Sequence, residues 1–300
     1  MKKKIFTGSG VAIITPFTPD GIDFEKLSAL TEYQISQGTD AIIVCGTTGE
    51  SATMSNEEHV AAIRCVVETV KKQIPVIAGT GVNDTRHSVY LTQEAEEAGA
   101  DGVLTVTPYY NKTTQAGLYQ HFKSIAENTS LPLVLYNVPG RTGLNIAPET
   151  FEKLCKIPNV NAVKECNLLQ VPETKKRCGD DLNLYSGEDG LVTMLLGAGG
   201  SGVISVVANI LPKHMHDMVA SFLSGDQEKG WKMQLDILDL ANALFCEVNP
   251  IPIKEAFDIL GLDANYSRRR LPLIPMAPAN REKLEKAMAA YGLTKGSITL

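Results

Sequence analysis

Apolar residues in this chain gather in short unbroken runs rather than in alternation. GVAIITPF (residues 10–17), DAIIVCG (40–46), IPVIAGTG (74–81), DGVLTVTP (101–108), LPLVLYNVP (131–139), VNAVKE (160–165), LNLYSGE (182–188) and GVISVVAN (202–209) follow one another along the sequence. Continuous runs of this length are the pattern of strands buried on both faces of a parallel sheet. Segments with helical spacing fill most intervals, among them EEHVAAIRCVVETVKKQ (57–73) and QAGLYQHFKSIAEN (115–128). Ser55, with Glu58 three residues on, predicts a capping box where the first of these begins. Eight strands interleaved with helices predict an α/β fold, a (β/α)8 TIM barrel rather than a doubly wound sheet.

Beyond the eighth strand, residues 226–246, 250–261 and 278–292 carry helical spacing, separated by Asn249-Pro250 and by the proline-rich RLPLIPMAP. No linker rich in Ser or Gly sets them apart. The expected organisation is therefore a barrel over residues 1–225 and a C-terminal helical extension over 226–300 packed against it.

Length and composition agree with this picture. At 300 residues and 44 % apolar content, the chain can bury one large core. The net charge of -6, with both signs mixed along the sequence, offers no basic stripe for nucleic acid. The basic start MKKK runs into Gly, Ser and prolines rather than an apolar segment, and no run reaches membrane-spanning length. The six cysteines, Cys45, Cys65, Cys155, Cys166, Cys178 and Cys246, include no CxxC pair. Reduced thiols and a cytoplasmic location are expected.

In a barrel of this kind chemistry belongs at the C-terminal ends of the strands. Lys164 stands there on the sixth. At a reference pKa of about 10.4, roughly one lysine in 2,500 is neutral at pH 7, and about 4 to 5 kcal/mol of desolvation or repulsion is needed to make the amine a carbonyl nucleophile. Read locally, Lys164 is a surface residue paired with Glu165 sooner than a nucleophile. Its company matters: GTTGE (46–50) after strand two offers the Thr47 and Thr48 hydroxyls, and TPYYNK after strand four offers Tyr109 and Tyr110. YNVPGRTG (136–143) after strand five offers the Tyr136 phenol as a proton relay and the Arg141 guanidinium for a carboxylate.

Two patterns lead elsewhere. GAGGSG (197–202) fits a dinucleotide-binding fingerprint, but a helical segment precedes it and a strand follows, the reverse of the required order. His214 and His216 are two apart on a helix and point in different directions. No metal site is expected.

Together GTTGE, TPYYN, YNVPGRTG and NAVKE, in this order and spacing, resemble the dihydrodipicolinate synthase family of pyruvate-dependent class I aldolases, which also holds N-acetylneuraminate lyase. The resemblance covers the whole chain, including the helices opened by NPIPIKEAF. It implies that Lys164 forms a Schiff base with pyruvate, and that Tyr136 moves protons, linked through Thr48 to Tyr110 of a neighbouring subunit. Thr47 and Thr48 would bind the pyruvate carboxylate, Gly187 and Ile204 would contribute backbone, and Arg141 would bind the carboxylate of L-aspartate 4-semialdehyde. The implied role is in lysine and diaminopimelate biosynthesis, with no cofactor beyond the imine on Lys164, in a homotetramer built as a dimer of dimers. A pyruvate lyase or aldolase acting on a sugar acid is the alternative.

The resemblance further implies a regulatory lysine site at a subunit interface, matched here by Ser51, Ala52, His59, Asn83 and Tyr109. Asn56 stands where a histidine is usual and His87 where a glutamate is usual. Loss of that acidic partner predicts weak or absent inhibition by lysine.

Overall fold

The structure, a computed structural model, describes residues 2–300. Eight parallel strands close into a barrel in sequence order: β1 (Gly8–Ala12), β2 (Ala41–Val44), β3 (Val76–Gly79), β4 (Gly102–Val106), β5 (Leu133–Asn137), β6 (Val160–Glu165), β7 (Asn183–Ser186) and β8 (Gly202–Ser205). β8 pairs with β1 through Gly8 to Val11, which leaves the sheet no edge. The expected (β/α)8 barrel is present, with strands shorter than the apolar runs. Residues beyond the strands' C-terminal ends, such as 45–46, 80–81 and 138–139, leave the ladder and enter the loops above it.

Side-chain parity divides the core. Ile43, Ile77, Leu104, Val134, Ala162, Tyr185 and Ile204 fill the barrel interior. Their neighbours Ile42, Val44, Ala78, Val103, Leu133, Leu135 and Val163 face the helices in a larger outer cluster. This two-sided burial is why the strands read as continuous apolar runs. At the N-terminal end the ring of Phe6 stacks on that of Tyr185 with centroids 4.3 Å apart, and the Tyr185 hydroxyl donates to Phe6 O at 2.6 Å, plugging the barrel floor.

The helix Asn56–Val70 begins with the expected box. Ser55 Oγ accepts from Glu58 N, and the Glu58 carboxylate accepts from Ser55 N. In the C-terminal region the segment expected as one helix forms two, Gln227–Asp236 and Leu238–Leu244, broken at Ile237. Just before the break, Gln234 is tied to the barrel: its Oε1 accepts from Val192 N at 2.8 Å and its Nε2 donates to Asp189 O at 2.9 Å. Beyond it Leu240 and Leu244 turn into the core. The helices Ile251–Ile259 and Pro278–Ala290 appear where expected, and a short helix, Ala264–Ser267, joins them unannounced by the sequence pattern.

The extension docks through a buried polar cluster. Lys254, fully enclosed, pairs with the Glu50 carboxylate and donates to Thr15 O at 2.8 Å and Arg268 O at 2.6 Å. Its ammonium lies 4.4 Å from the centre of the Phe17 ring, with the Arg270 guanidinium 4.3 Å from the same ring. GAGGSG runs from the helix Val192–Gly197 into the start of β8, so its order is helix to strand, at the barrel end away from the strand C-termini. His214 and His216 do part company: the first contacts Met233 O at 3.0 Å, the second Asp40 at 2.8 Å. Among the described residues no helix is long and apolar enough to cross a membrane.

Candidate active site

Parity along β6 decides the fate of Lys164. Ala162 faces the interior and so does Lys164, while Val163 and Glu165 face outward. Lys164 is therefore no surface residue, and its partner is not Glu165. The two side chains lie on opposite sides of one strand, and only 6 % of Lys164 is exposed. Its ammonium sits 4.5 Å from the centre of the Tyr136 ring, the register neighbour on β5. No hydrogen bond or ion pair to Lys164 Nζ occurs among the described residues. Burial lowers its pKa, and Arg141 adds to the effect, while Cys166, Asp189 and Glu188 oppose it. Desolvation thus acts in the direction that favours the neutral amine.

Lys164 lines a cavity of about 350 Å³ together with Thr47, Thr48, Tyr136, Arg141, Gly187 and Asn249. Gly187 is there for space: a Cβ would fall 2.4 Å from Cys166 Sγ and 3.2 Å from Lys164 Cε. Ile204 lies buried in the barrel interior, and Val206, two residues on, lines the cavity instead. Burial pushes the Tyr136 phenol well above its ordinary range, so at neutral pH it holds its proton. The Thr47 hydroxyl, beside it in the cavity, acts in the opposite sense and lowers that pKa. The resemblance gives that place to Thr48, but the Thr48 side chain turns under the loop and accepts from Asn249 Nδ2 at 2.9 Å. Consecutive residues in this turn face opposite ways, leaving Thr47 exposed in the cavity and Thr48 buried.

Arg141 belongs to a helical turn, Pro139–Thr142, rather than an irregular loop. Its guanidinium donates to Asn249 O at 3.3 Å. Asn249 thus bridges Thr48 and Arg141, and its Oδ1 is buried with no partner among the described residues. The sequence offers only the Asn249-Pro250 pair, read as a helix break. Glu188 and Asp189 are equally unannounced. Asp189 is buried behind Lys164, with Oδ2 accepting from Val206 N at 2.9 Å and Val207 N at 3.2 Å. Burial raises the pKa of both carboxyls, and it pushes the Cys166 thiol up, disfavouring its thiolate.

Tyr110 does not reach the cavity within one chain. It is 91 % exposed and holds a left-handed backbone, φ 68°, a conformation costing about 1–2 kcal/mol for a bulky residue. Ser51, Ala52, His59, Asn83 and Tyr109 line a second cavity of about 460 Å³ together with Asn56 and His87. It shares Thr47, Tyr136 and Arg141 with the first. His87 Nε2 and Asn56 Oδ1 are 2.9 Å apart, joining the two positions that depart from the family pattern. His59 Nε2 lies 2.7 Å from Gly79 O, and burial lowers its pKa.

A desolvated lysine without hydrogen-bond or ion-pair partners at the mouth of a closed eight-stranded barrel, beside a phenol and a guanidinium, marks the candidate active site of a barrel enzyme. Comparison makes the class particular. The sequence model described as "Dihydrodipicolinate synthetase family" matches residues 5–291. A 4-hydroxy-tetrahydrodipicolinate synthase of Acetivibrio thermocellus is 56 % identical over 98 % of this chain and 100 % of its own. The solved dihydrodipicolinate synthase of Thermotoga maritima superposes with a TM-score of 0.93 at 43 % identity, covering 97 % of this chain and 100 % of that one. That of Acinetobacter baumannii, solved as a chloride-inhibited enzyme complexed with pyruvate, gives 0.92 at 44 % identity over 96 % and 99 %. The chain belongs to the dihydrodipicolinate synthetase family.

Proposed function

We propose that the chain condenses pyruvate with L-aspartate 4-semialdehyde to 4-hydroxy-tetrahydrodipicolinate, in lysine and diaminopimelate biosynthesis, with Lys164 as Schiff-base residue and no cofactor. The observation that carries this reading is the Lys164 amine, desolvated and without a hydrogen-bond or ion-pair partner among the described residues, on the wall of the cavity. In its neutral form it adds to the pyruvate ketone and expels water as the imine forms. The iminium then acts as an electron sink: loss of a methyl proton gives an enamine, whose carbon bonds to the aldehyde carbon as that oxygen takes up a proton, and the semialdehyde's own amino group then displaces the Lys164 amine from the regenerated iminium, closing the ring. Tyr136, protonated and beside Thr47 in the cavity, is the carrier for these protons. Thr47 and Thr48 bind the pyruvate carboxylate, with Gly187 leaving room beside Lys164 and the β8 backbone around Ile204 closing the floor.

Arg141 supports the second substrate. Its guanidinium rises at the cavity rim and suits a carboxylate by two parallel hydrogen bonds. The relatives bear the synthase name, which favours this reading over a sugar-acid lyase. The exposure and left-handed backbone of Tyr110 support its insertion into a neighbouring subunit's site, within a homotetramer made of two dimers.

Borohydride reduction in the presence of pyruvate, followed by mass spectrometry, tests the central step. An adduct on Lys164 is expected, and an unmodified Lys164 overturns the reading. Consumption of pyruvate upon addition of aspartate semialdehyde then identifies the second substrate. The Asn56 and His87 pair places no carboxylate beside a bound lysine ammonium, so turnover persists at micromolar lysine. Full inhibition there would contradict the weak regulation proposed.

A further inference from the structure

Directly behind Lys164, on the outer face of β6, lies a closed network of amides around one carboxylate. Glu165 Oε1 accepts from Asn137 Nδ2 and from Asn167 N, each at 2.7 Å, and Oε2 accepts from Gln170 Nε2 at 2.9 Å. Neither amide is free to turn over. Asn137 Oδ1 is fixed by Ile146 N at 2.9 Å, and Gln170 Nε2 is fixed by Ile146 O at 3.1 Å. The third donor is backbone. Asn145 closes the ring, its Oδ1 accepting from Asn137 Nδ2 at 2.9 Å and its Nδ2 donating to Gln170 Oε1 at 2.9 Å.

This geometry has a consequence for the cavity. Asn137 ends β5, and Asn145 and Ile146 end the loop that starts there, so the network brackets the turn carrying Arg141. Glu165 follows Lys164 on the same strand. Among the described residues the guanidinium of the exposed Arg141 has only one hydrogen bond, to Asn249 O, so its place relative to Lys164 is set by the backbone that this network holds. Three donors of fixed direction can be satisfied together only by a carboxylate. A glutamine would turn its own NH2 against one of them.

We propose that Glu165 is a positioning residue for the second substrate: through Asn137, Asn145 and Gln170 it fixes the distance between the imine-forming amine and the guanidinium that receives the aldehyde's carboxylate. The proposal rests on the reading of Lys164 and Arg141 given above. Burial pushes the Glu165 carboxyl up to about 7 against its three donors, so the test is made at about pH 8, where the carboxylate form prevails.

Glu165→Gln is expected to raise KM for aspartate semialdehyde about tenfold or more while leaving the yield of borohydride-trapped pyruvate adduct as in the wild type. Asn145→Ala, which keeps the charge and removes the side-chain bonds to Asn137, Gln170 and Asn167, is expected to shift the same KM less, and it carries the test alone if Glu165→Gln does not fold. An unchanged KM for the semialdehyde in the folded variants overturns the proposal, as does an equal loss of pyruvate trapping, which would mark a general structural role. Wild-type chain in the same series separates the failures. Absent turnover there refutes the functional reading, whereas turnover with equal KM values refutes the positioning role alone.

Discussion

Two lysines in this protein are buried, and they are buried in opposite ways. Lys254, in the C-terminal extension, has a carboxylate, two carbonyl oxygens and an aromatic face around its ammonium. Lys164, at the barrel mouth, has the Tyr136 ring and a cavity. Burial depresses both pKa values, that of Lys254 to about 8. Desolvation alone therefore does not distinguish a nucleophile from a structural cation. The difference lies in the partners: a lysine with every donor occupied is held in one place, whereas one without acceptors is free to lose its proton and form a bond to carbon. Buried charges are normally paired, and the unpaired one marks the chemistry.

The largest effect should come from Lys164→Met. We expect it to abolish both pyruvate trapping and turnover with little loss of thermal stability, because the ammonium gives up no hydrogen bond or ion pair, only its contact with the Tyr136 ring. A substantial fall in melting temperature would show that Lys164 is a structural cation after all. Lys254→Met should behave the other way round. It leaves Glu50 buried without its partner and should cost about 3–5 kcal/mol in chemical denaturation, whereas the Glu50→Gln, Lys254→Met double variant recovers most of that loss. Equal destabilisation of the single and double variants would contradict the pairing.

Asn249 lies where the two regions meet. Asn249→Ala removes the donor to Thr48, a loss of roughly 1–3 kcal/mol, and should lower kcat/KM for the semialdehyde roughly 10- to 100-fold. Unaltered kinetics would mean that the extension only scaffolds the barrel. The smallest effect concerns pH. With Lys254 lowered from 10.5 to about 8, the unfolded chain binds a proton that the folded chain lacks in that window. This titration makes stability rise with pH between the two values. Urea unfolding at about pH 8 and pH 10 should show that contribution in the wild type and its absence in the double variant. The opposite sign would show that folding raises the pKa of this lysine.

Much of the architecture is legible in the chain's own pattern. The apolar runs mark eight strands because each is buried on both faces, and VNAVKE coincides with β6. Ser55 and Glu58 announce a cap because its hydrogen bonds are local. The break at Ile237 is not legible, since helical spacing continues across it and the ties from Gln234 to the barrel are remote in sequence. At the site, Thr47 and Thr48 are visible as a pair, but which of them opens to the cavity and which is buried against Asn249 depends on how the loop rotates over the barrel.

By itself the sequence determined the barrel, the strand-end position of Lys164 and the family motifs around it, because hydrophobic period and local spacing are properties of neighbouring residues. Only the tertiary structure decided which face of β6 is inside, and hence that Lys164 meets a cavity while Glu165 enters an amide network. The tertiary structure also brought Asn249 to a threonine 201 positions earlier in the chain. Contacts of that range leave no periodic trace along the sequence, because they are set by the closing of the barrel and the docking of the helices upon it.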